Sequence, residues 1–389
     1  MKNPYKITTT DVRKLNGNRI FKLISCSDGI SRQQIADTLD LSLPTVNQNL
    51  KSLLDEEFIR FGGNYESTGG RRAQVISINP YARAAVSVNI KNNEIKASLV
   101  GLDGNIIDSI SVSTHFSPDE KGEAQVVSLV DRIIDKNAVK QENVIGVGVT
   151  IPGVFDSADE VILSAPVLGI KDYNINRLKN AFSYECMIIN DARAQAFADY
   201  WLTRKVSDDG EASSLPENGK FYVMLSDGVG GAYISKDRIK KGLHNRCGEI
   251  GHMIIHPGGR KCMCGKCGCF EAYVSSRRLS SDLNISVSEF FDGLDKGNEE
   301  YIKVFDEYLD NLTTGINNLY IIVDGNIVIG GPLASYLRKY EDRIKFMLKD
   351  KYSFDTDGEC ISFTACSPDS VDTGAALMYI SEFIGNVLI

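Results

Sequence analysis

The amino-acid sequence predicts an α/β protein in two unlike parts: a small helical head ending in a β-wing over residues 1–80, and a two-lobed body over residues 81–389. Three observations predict it. The first sixty residues carry helix caps and apolar residues near helical spacing. Past Asn79-Pro80 the texture changes to short apolar runs alternating with helical stretches, and the cycle restarts near Phe221. At 389 residues the chain is too long for one core and suits two or three domains.

In the head, Asp11 to Ser25 reads as a helix with Val12, Leu15, Ile20, Leu23 and Ile24 on its apolar stripe. Ser31 and Gln34 form a capping box that opens a short helix through Leu39. Leu41-Ser42-Leu43 makes a turn, Ser42 caps the next helix, and Pro44 suits its first turn. That helix directs Val46, Leu50, Leu53 and Leu54 inward and leaves Thr45, Asn47, Gln48 and Asn49 on other faces. Two short helices, a tight turn and a polar-faced second helix describe a helix-turn-helix, whose second helix reads base edges from its first turns. Asn and Gln suit adenine edges. Phe58-Ile59-Arg60-Phe61 reads as a strand and Gly69-Gly70-Arg71-Arg72 as a basic wing, completing a winged helix-turn-helix in which Arg71 and Arg72 enter a minor groove. From pattern alone, a helical protein-interaction domain with a solvated polar face stays open beside DNA binding.

In the body, Ala84–Val88, Lys96–Val100 and Ile106–Val112 read as a meander, with a turn at Asp103-Gly104. Val144–Thr150 and Met187–Ile189 read as buried strands, with helices at 124–136 and 191–203. Residues 204–220 are polar and read as a surface loop. The second cycle begins at Phe221–Leu225, includes Ile327–Ile329 and ends in a helix from about Thr373. The lobes divide at 81–190 and 191–372, and two lobes frame a cleft suited to a small ligand.

Charge is uneven. Residues 1–85 carry twelve Lys/Arg against eight Asp/Glu, a net +4, and the remainder nets −12. A basic head suits DNA phosphates and an acidic body does not. The sequence shows neither an apolar run long enough for a membrane span nor the apolar core of a secretory signal near Met1, so a cytoplasmic protein with no membrane partner is expected. In that compartment the nine cysteines are not expected to form disulfides.

The strongest chemical signal is His252 with Cys262, Cys264 and Cys269. One imidazole and three thiolates make a closed tetrahedral site of the structural zinc type, and Gly265 and Gly268 let the chain fold back around the ion. Cys267 and Cys247 are alternative ligands. Asp191 follows a buried strand at a helix start. A carboxylate there can accept a hydrogen bond from a hydroxyl or take its proton, though position alone favours an N-cap.

Asn190-Asp191-Ala192, Ser226-Asp227-Gly228-Val229-Gly230-Gly231, Gly248-Glu249-Ile250-Gly251-His252-Met253 and the cysteine cluster ending in Glu271 resemble the ROK family, whose name stands for repressor, open reading frame, kinase. The resemblance runs from about residue 10 to the C-terminus, because ROK repressors also carry a winged helix-turn-helix ending in a Gly-Gly-Arg-Arg wing. It implies a two-lobed actin-like (ribonuclease H-like) ATPase or sugar-kinase-type fold, with a C-terminal helix at about 373–389 completing the first lobe. It also implies that Asn190, Asp191, Glu249, His252 and Glu271 bind sugar hydroxyls, that His252 doubles as a zinc ligand, and that Asp191 occupies the place of the catalytic base.

The sequence departs from the kinase pattern at both phosphate loops. Where ROK kinases have Asp-x-Gly-Gly-Thr, this chain has Asn89-Ile90-Lys91-Asn92-Asn93, with side chains where backbone must approach phosphate. In the second loop Asp227 puts a negative charge beside the place of a triphosphate. Val167, in Ala165-Pro166-Val167-Leu168-Gly169, stands where the family often has Asn, so hexoses, pentoses and N-acetylhexosamines all stay open as ligands. Together these features predict a sugar-responsive transcriptional repressor of carbohydrate-utilisation genes, without kinase activity and with Asp191 a vestigial base. Its expected partners are an inverted-repeat operator in double-stranded DNA, a sugar effector and further copies of itself, as a dimer or dimer of dimers. A working sugar kinase with an added DNA-binding head, or a regulator answering to a protein partner, are the competing readings.

Overall fold

A computed structural model of the chain describes residues 9–64, 74–156, 158, 160–204, 219–235, 238–352, 360–367 and 370–386. The head holds α1 (Thr9–Ser25), α2 (Arg32–Leu39), α3 (Leu43–Asp55) and an antiparallel pair, β1 (Ile59–Asn64) and β2 (Gln74–Ile78). Both halves of the Ser31–Gln34 capping box form, and Ser42 accepts the Thr45 N–H at the start of α3. The predicted wing Gly69-Gly70-Arg71-Arg72 lies outside the described residues.

Two expectations for the head need correction. Val12 and Leu15 are 46% and 61% exposed, whereas Ile20, Leu23 and Ile24 are buried. Val12 and Leu15 stand eight residues before Ile20 and Leu23, which turns them about 80° around the helix and off the buried stripe. Asn49 is 2% exposed, and its Nδ2 donates to the Thr45 carbonyl at 2.9 Å. It therefore faces the head's core and not a groove. Asn47 and Gln48 remain exposed, and Thr45 is half-buried with Oγ1 2.8 Å from Ser42 Oγ.

The body opens with β3 (Ala84–Lys91), β4 (Glu94–Gly101), β5 (Ile106–Val112), α4 (Glu120–Lys136) and β6 (Val144–Ile151). A small antiparallel sheet follows, made of β7 (Val154–Phe155), β8 (Val161–Ala165) and β9 (Ile170–Asn174). After it come α5 (Asn176–Ala181), β10 (Cys186–Asn190) and α6 (Asp191–Thr203). The second cycle is β11 (Lys220–Leu225), β12 (Val229–Ser235), β13 (Arg238–Ile239), α7 (Glu271–Val274), α8 (Val287–Asp295) and α9 (Glu299–Val323). It closes with β14 (Asn326–Gly330), α10 (Ala334–Leu337), α11 (Glu341–Lys351), β15 (Ile361–Phe363) and α12 (Val371–Asn386).

Two five-stranded mixed sheets result, in the orders β10-β6-β3-β4-β5 and β13-β12-β11-β14-β15. Between them α6 and α12 pack on each other, α12 lying on the first sheet and α6 on the second. Small residues permit this. A Cβ at Gly148 would come 2.5 Å from Ala375 Cβ, and one at Gly230 would come 2.8 Å from Ala192 Cβ. The opposite face of the first sheet buries α4, and that of the second buries α7, α8 and α9.

The head's core is continuous with the body's. One apolar cluster runs from Ile20, Phe21 and Phe58 to Trp201, Leu377, Ile380 and Ile384. Phe58 meets Phe383 edge-on at 5.4 Å, and the Arg83 guanidinium lies 5.1 Å from the Phe58 ring. At the far end of α6, Arg204 donates to the Ser25 carbonyl at 2.9 Å, lies 3.1 Å from Cys26 Sγ, and stacks on Trp201. Among the described residues no helix is long and apolar enough to cross a membrane.

Candidate functional site

The loop after β13 brings four ligands together. Single ligand atoms of His252, Cys262, Cys264 and Cys269 lie within 4.8 Å of one another. Cys264 and Cys269 Sγ are 3.7 Å apart, and Cys262 Sγ is 3.9 Å from His252 Nδ1. The chain doubles back through a Cys262–Gly265 turn and short bridges pairing Ile254 with Cys269 and Lys261 with Cys267. Gly268, at φ +85°, is where the strands press closest, and a Cβ there would come 1.8 Å from the His256 carbonyl. Cys267 and Cys247 do not join the cluster.

Glu271, the first residue of α7, ties this loop to the hairpin between β11 and β12. Its Oε2 accepts the Val229 N–H at 3.0 Å, and its Oε1 lies 3.5 Å from Cys262 Sγ and 3.8 Å from the Arg277 guanidinium. A side chain at Gly228 would crowd that carboxylate, since a Cβ would stand 3.0 Å from it.

At the start of α6 the cap is Asn190, not Asp191. Asn190 Oδ1 accepts the Arg193 N–H and its Nδ2 donates to the Gly153 carbonyl at 3.0 Å, so both ends of the amide are engaged. Capping by its neighbour leaves the Asp191 carboxylate with nearby backbone N–H groups, Ala192's at 2.9 Å and its own, and a side chain only partly covered. Burial raises its pKa above the ordinary carboxylate value, against the lowering effect of that N–H. Glu249, half-buried, precedes a short helical turn over Ile250–His252. Burial raises its pKa as well; His252 and Arg193 pull it down, and Asp191 and Glu271 push it up. These influences put Asp191, Arg193, His252 and Glu271 within electrostatic reach of Glu249, although they come from separated stretches of chain.

A carboxylate of the chain stands at or beside each of the two loops that depart from the kinase pattern. The first loop is a tight hairpin between β3 and β4 at Asn92-Asn93. Beside it Asn89 Nδ2 donates to Asp372 Oδ1 at 2.7 Å, while Lys96 Nζ sits 2.7 Å from Asp372 Oδ2 and Lys91 Nζ 4.0 Å from Oδ1. Asp372, in the first turn of α12, is 1% exposed. At the second loop Ser276 Oγ donates to Asp227 Oδ1 at 2.5 Å. Sequence reasoning missed Asp372 and Arg193. An acidic residue opening the last helix hints at the first, but no local signal marks the second.

Comparison with known proteins agrees with this architecture. The ROK family profile matches residues 85–375, and a winged helix-turn-helix DNA-binding profile matches residues 16–60. The chain is 27% identical over 351 residues to a putative xylose repressor of Caldicellulosiruptor sp. (strain Rt8B.4), covering 84% of this chain and 85% of that protein. It is 27% identical over 269 residues to the DNA-binding transcriptional dual regulator NagC of Escherichia coli (strain K12), covering 69% of this chain and 64% of that protein. Among solved structures, a ROK family transcriptional regulator, homolog of the E. coli MLC protein, has a TM-score of 0.74 at 19% identity, over 97% of this chain and 98% of that one. A ROK hexokinase from Thermus thermophilus has a TM-score of 0.62 at 22% identity, over 77% of this chain and 98% of that one. The kinase matches less of this chain than the regulator does, by a share close to that of the head. A two-lobed α/β body of this topology, matched by the family profile across most of its length, places the chain in the ROK family.

Proposed function

We propose that this chain is a sugar-responsive, DNA-binding repressor of carbohydrate-utilisation genes, whose kinase-type cleft binds sugar and transfers no phosphate. One observation carries the reading. Glu249 stands within electrostatic reach of the Asp191 and Glu271 carboxylates, while Asp372 and Asp227 stand at or beside the two loops where a ROK kinase would hold phosphate. Carboxylates accept hydrogen bonds from hydroxyls and repel phosphates. The lysines nearest the first loop already face carboxylates of the chain, Lys96 at 2.7 Å from Asp372 and Lys91 at 3.7 Å from Glu94. Asn190, with its amide spent on the cap and on Gly153, contributes to sugar binding through the placing of Asp191. Relatives named xylose repressor and N-acetylglucosamine repressor support the regulatory reading and make a pentose and an N-acetylhexosamine the first sugars to try.

The metal is zinc. A tetrahedral ion with bonds of about 2.3 Å to sulfur sets sulfurs about 3.8 Å apart, and Cys264 and Cys269 stand at 3.7 Å. Three thiolates and an imidazole are the donors that a structural zinc site takes. His252, Cys262, Cys264 and Cys269 would hold the ion, which would stiffen the loop and so fix Glu271 against the Val229 N–H. In the head, Asn47 and Gln48 read major-groove bases and Thr45 supports the helix start, and we assign Arg71 and Arg72 to the minor groove. The protein works as a symmetric dimer or dimer of dimers on an inverted repeat.

The test selects DNA sites from a random pool, then footprints the selected site with and without D-xylose or N-acetyl-D-glucosamine, beside an assay for ATP-dependent phosphorylation of both sugars. An inverted-repeat footprint that one sugar releases, with no phosphorylation above background, is the expected result. Turnover near 1 per second, ordinary for an enzyme, overturns the proposal in favour of a kinase.

A further inference from the structure

Arg193 stands two residues past Asp191 in the first turn of α6 and is 6% exposed. Burying a guanidinium is costly unless its N–H groups find acceptors. Here two of them go to one residue: Nη1 donates to Asn245 Oδ1 at 2.6 Å and Nη2 to the Asn245 carbonyl at 2.8 Å. Asn245 is itself 2% exposed and left-handed, at φ +56°. Asparagine tolerates that conformation better than most residues, and the pair of bonds from Arg193 holds it there.

Asn245 has a second attachment. Its Nδ2 donates to the Asp156 carbonyl at 3.0 Å, in the turn between β7 and β8. That turn is braced internally, since Asp156 Oδ1 accepts the N–H groups of Glu160 at 2.8 Å and Val161 at 3.3 Å. Asn245 therefore joins a loop of the second sheet's side to a turn built on the first sheet's side, and both to the start of α6. Glu249 and His252 follow Asn245 by four and seven residues. Between Asn245 and Glu249, Gly248, at φ +103°, presses on β12, where a Cβ would come 2.1 Å from the Gly231 carbonyl. The stretch bearing Glu249 is thus pinned on one side by Arg193 and on the other by β12.

We propose that Arg193 and Asn245 are the positioning pair of the cleft: Arg193 sets the loop that presents Glu249, and the Asn245–Asp156 bond is a latch across the cleft mouth. The inference rests on the sugar-binding reading of Glu249 and adds the residues that determine its reach. Neither residue needs to touch the sugar. The pair acts by keeping Glu249 at a fixed distance from Asp191, where both carboxylates can share the hydroxyls of one monosaccharide ring. A placement error of about 1 Å is enough to cost such a ligand most of its paired hydrogen bonds.

The test uses the full-length, metal-loaded protein and two substitutions. N245D keeps the acceptor for Arg193 and deletes the donor to Asp156. R193K keeps the charge and loses the fork. Hydrogen exchange is measured across residues 153–161 and 242–252, and D-xylose and N-acetyl-D-glucosamine are titrated by calorimetry. In N245D, exchange should rise about tenfold in both segments and nowhere else, with metal content unchanged and binding of the recognised sugar weakened about tenfold, the scale of one hydrogen bond to a charged group. R193K should loosen 242–252 more than 153–161. Unchanged exchange in both variants overturns the latch, as does loosening with full sugar affinity. If the unsubstituted protein binds neither sugar while N245D still loosens both segments, the latch stands and the choice of sugar falls.

Discussion

The helices α6 and α12 lie side by side between the two sheets, each with an aspartate in its first turn and each meeting the head at its far end, yet they begin and end on opposite chemistry. At the start of α6 the Asp191 carboxylate is held by backbone N–H groups and is partly open. At the start of α12 Asp372 is sealed, bonded by Asn89 and paired with Lys96. At the far ends, α6 grips the head through Arg204 on Ser25 and Cys26, and α12 grips it through Phe383 on Phe58. An open carboxylate is free for a ligand and a sealed one fills a site. A polar grip breaks and re-forms as partners shift by an ångström, whereas an apolar contact tolerates sliding. The contrast gives α6 the features of the responsive helix and α12 those of the structural one.

The largest expected effect comes from breaking the loop that completes the α6 end. C264S should take the metal content from about one ion per chain to none and abolish the sugar response, because Glu271 depends on that loop. Metal analysis of gently purified protein checks the first part, and retention of the sugar response without metal would refute the second.

Next come the two helix starts. D372A removes one partner of a buried pair and should cost about 3–5 kcal/mol in denaturant unfolding, with sugar affinity kept. D191A should do the reverse: sugar binding falls at least about tenfold, the value of a hydrogen bond to a charged group, and stability at neutral pH rises slightly, because a carboxylate that burial disfavours is removed. Equal behaviour of the two variants would erase the contrast between the helices.

The far ends separate by a smaller margin. F383A should lower stability by about 2–3 kcal/mol, below the range for a fully buried phenylalanine because this ring is only partly covered. R204A should change stability by about 1 kcal/mol while making DNA affinity indifferent to sugar. A footprint on R204A protein that sugar still releases would move the coupling elsewhere.

The smallest effect is on pH dependence. Burial raises the Asp191 pKa in the folded protein, so the folded state binds the proton more tightly than the unfolded one. Stability from this group is therefore greatest below the unfolded value of about 3.9 and declines as pH rises through the raised folded value. D191N should flatten that decline in thermal unfolding series between pH 4 and pH 8, and an unchanged slope would assign it to another group.

What the sequence determined by itself was chemistry that acts within a few residues. The Ser31–Gln34 box and the Ser42 cap act across one turn of chain and formed as read, and the cysteines spaced by Gly265 and Gly268 come together with His252 in one loop. The alternation of strands and helices carried the α/β class for the same reason, since burial on one face imposes its period locally. Two readings of the head failed on which face of a helix a residue takes: Asn49 turned inward to the Thr45 carbonyl, and Val12 and Leu15 fell outside the head's core. The small sheet β7–β9 went unread because its strands are as short as two residues. Only the tertiary structure decided that Asp372 seals the place beside Asn89, 283 residues away, and that Arg193 meets Asn245, 52 residues on. Such pairings exist only after two sheets have closed on α6 and α12, because a side chain carries no record of which distant residue the fold will set against it.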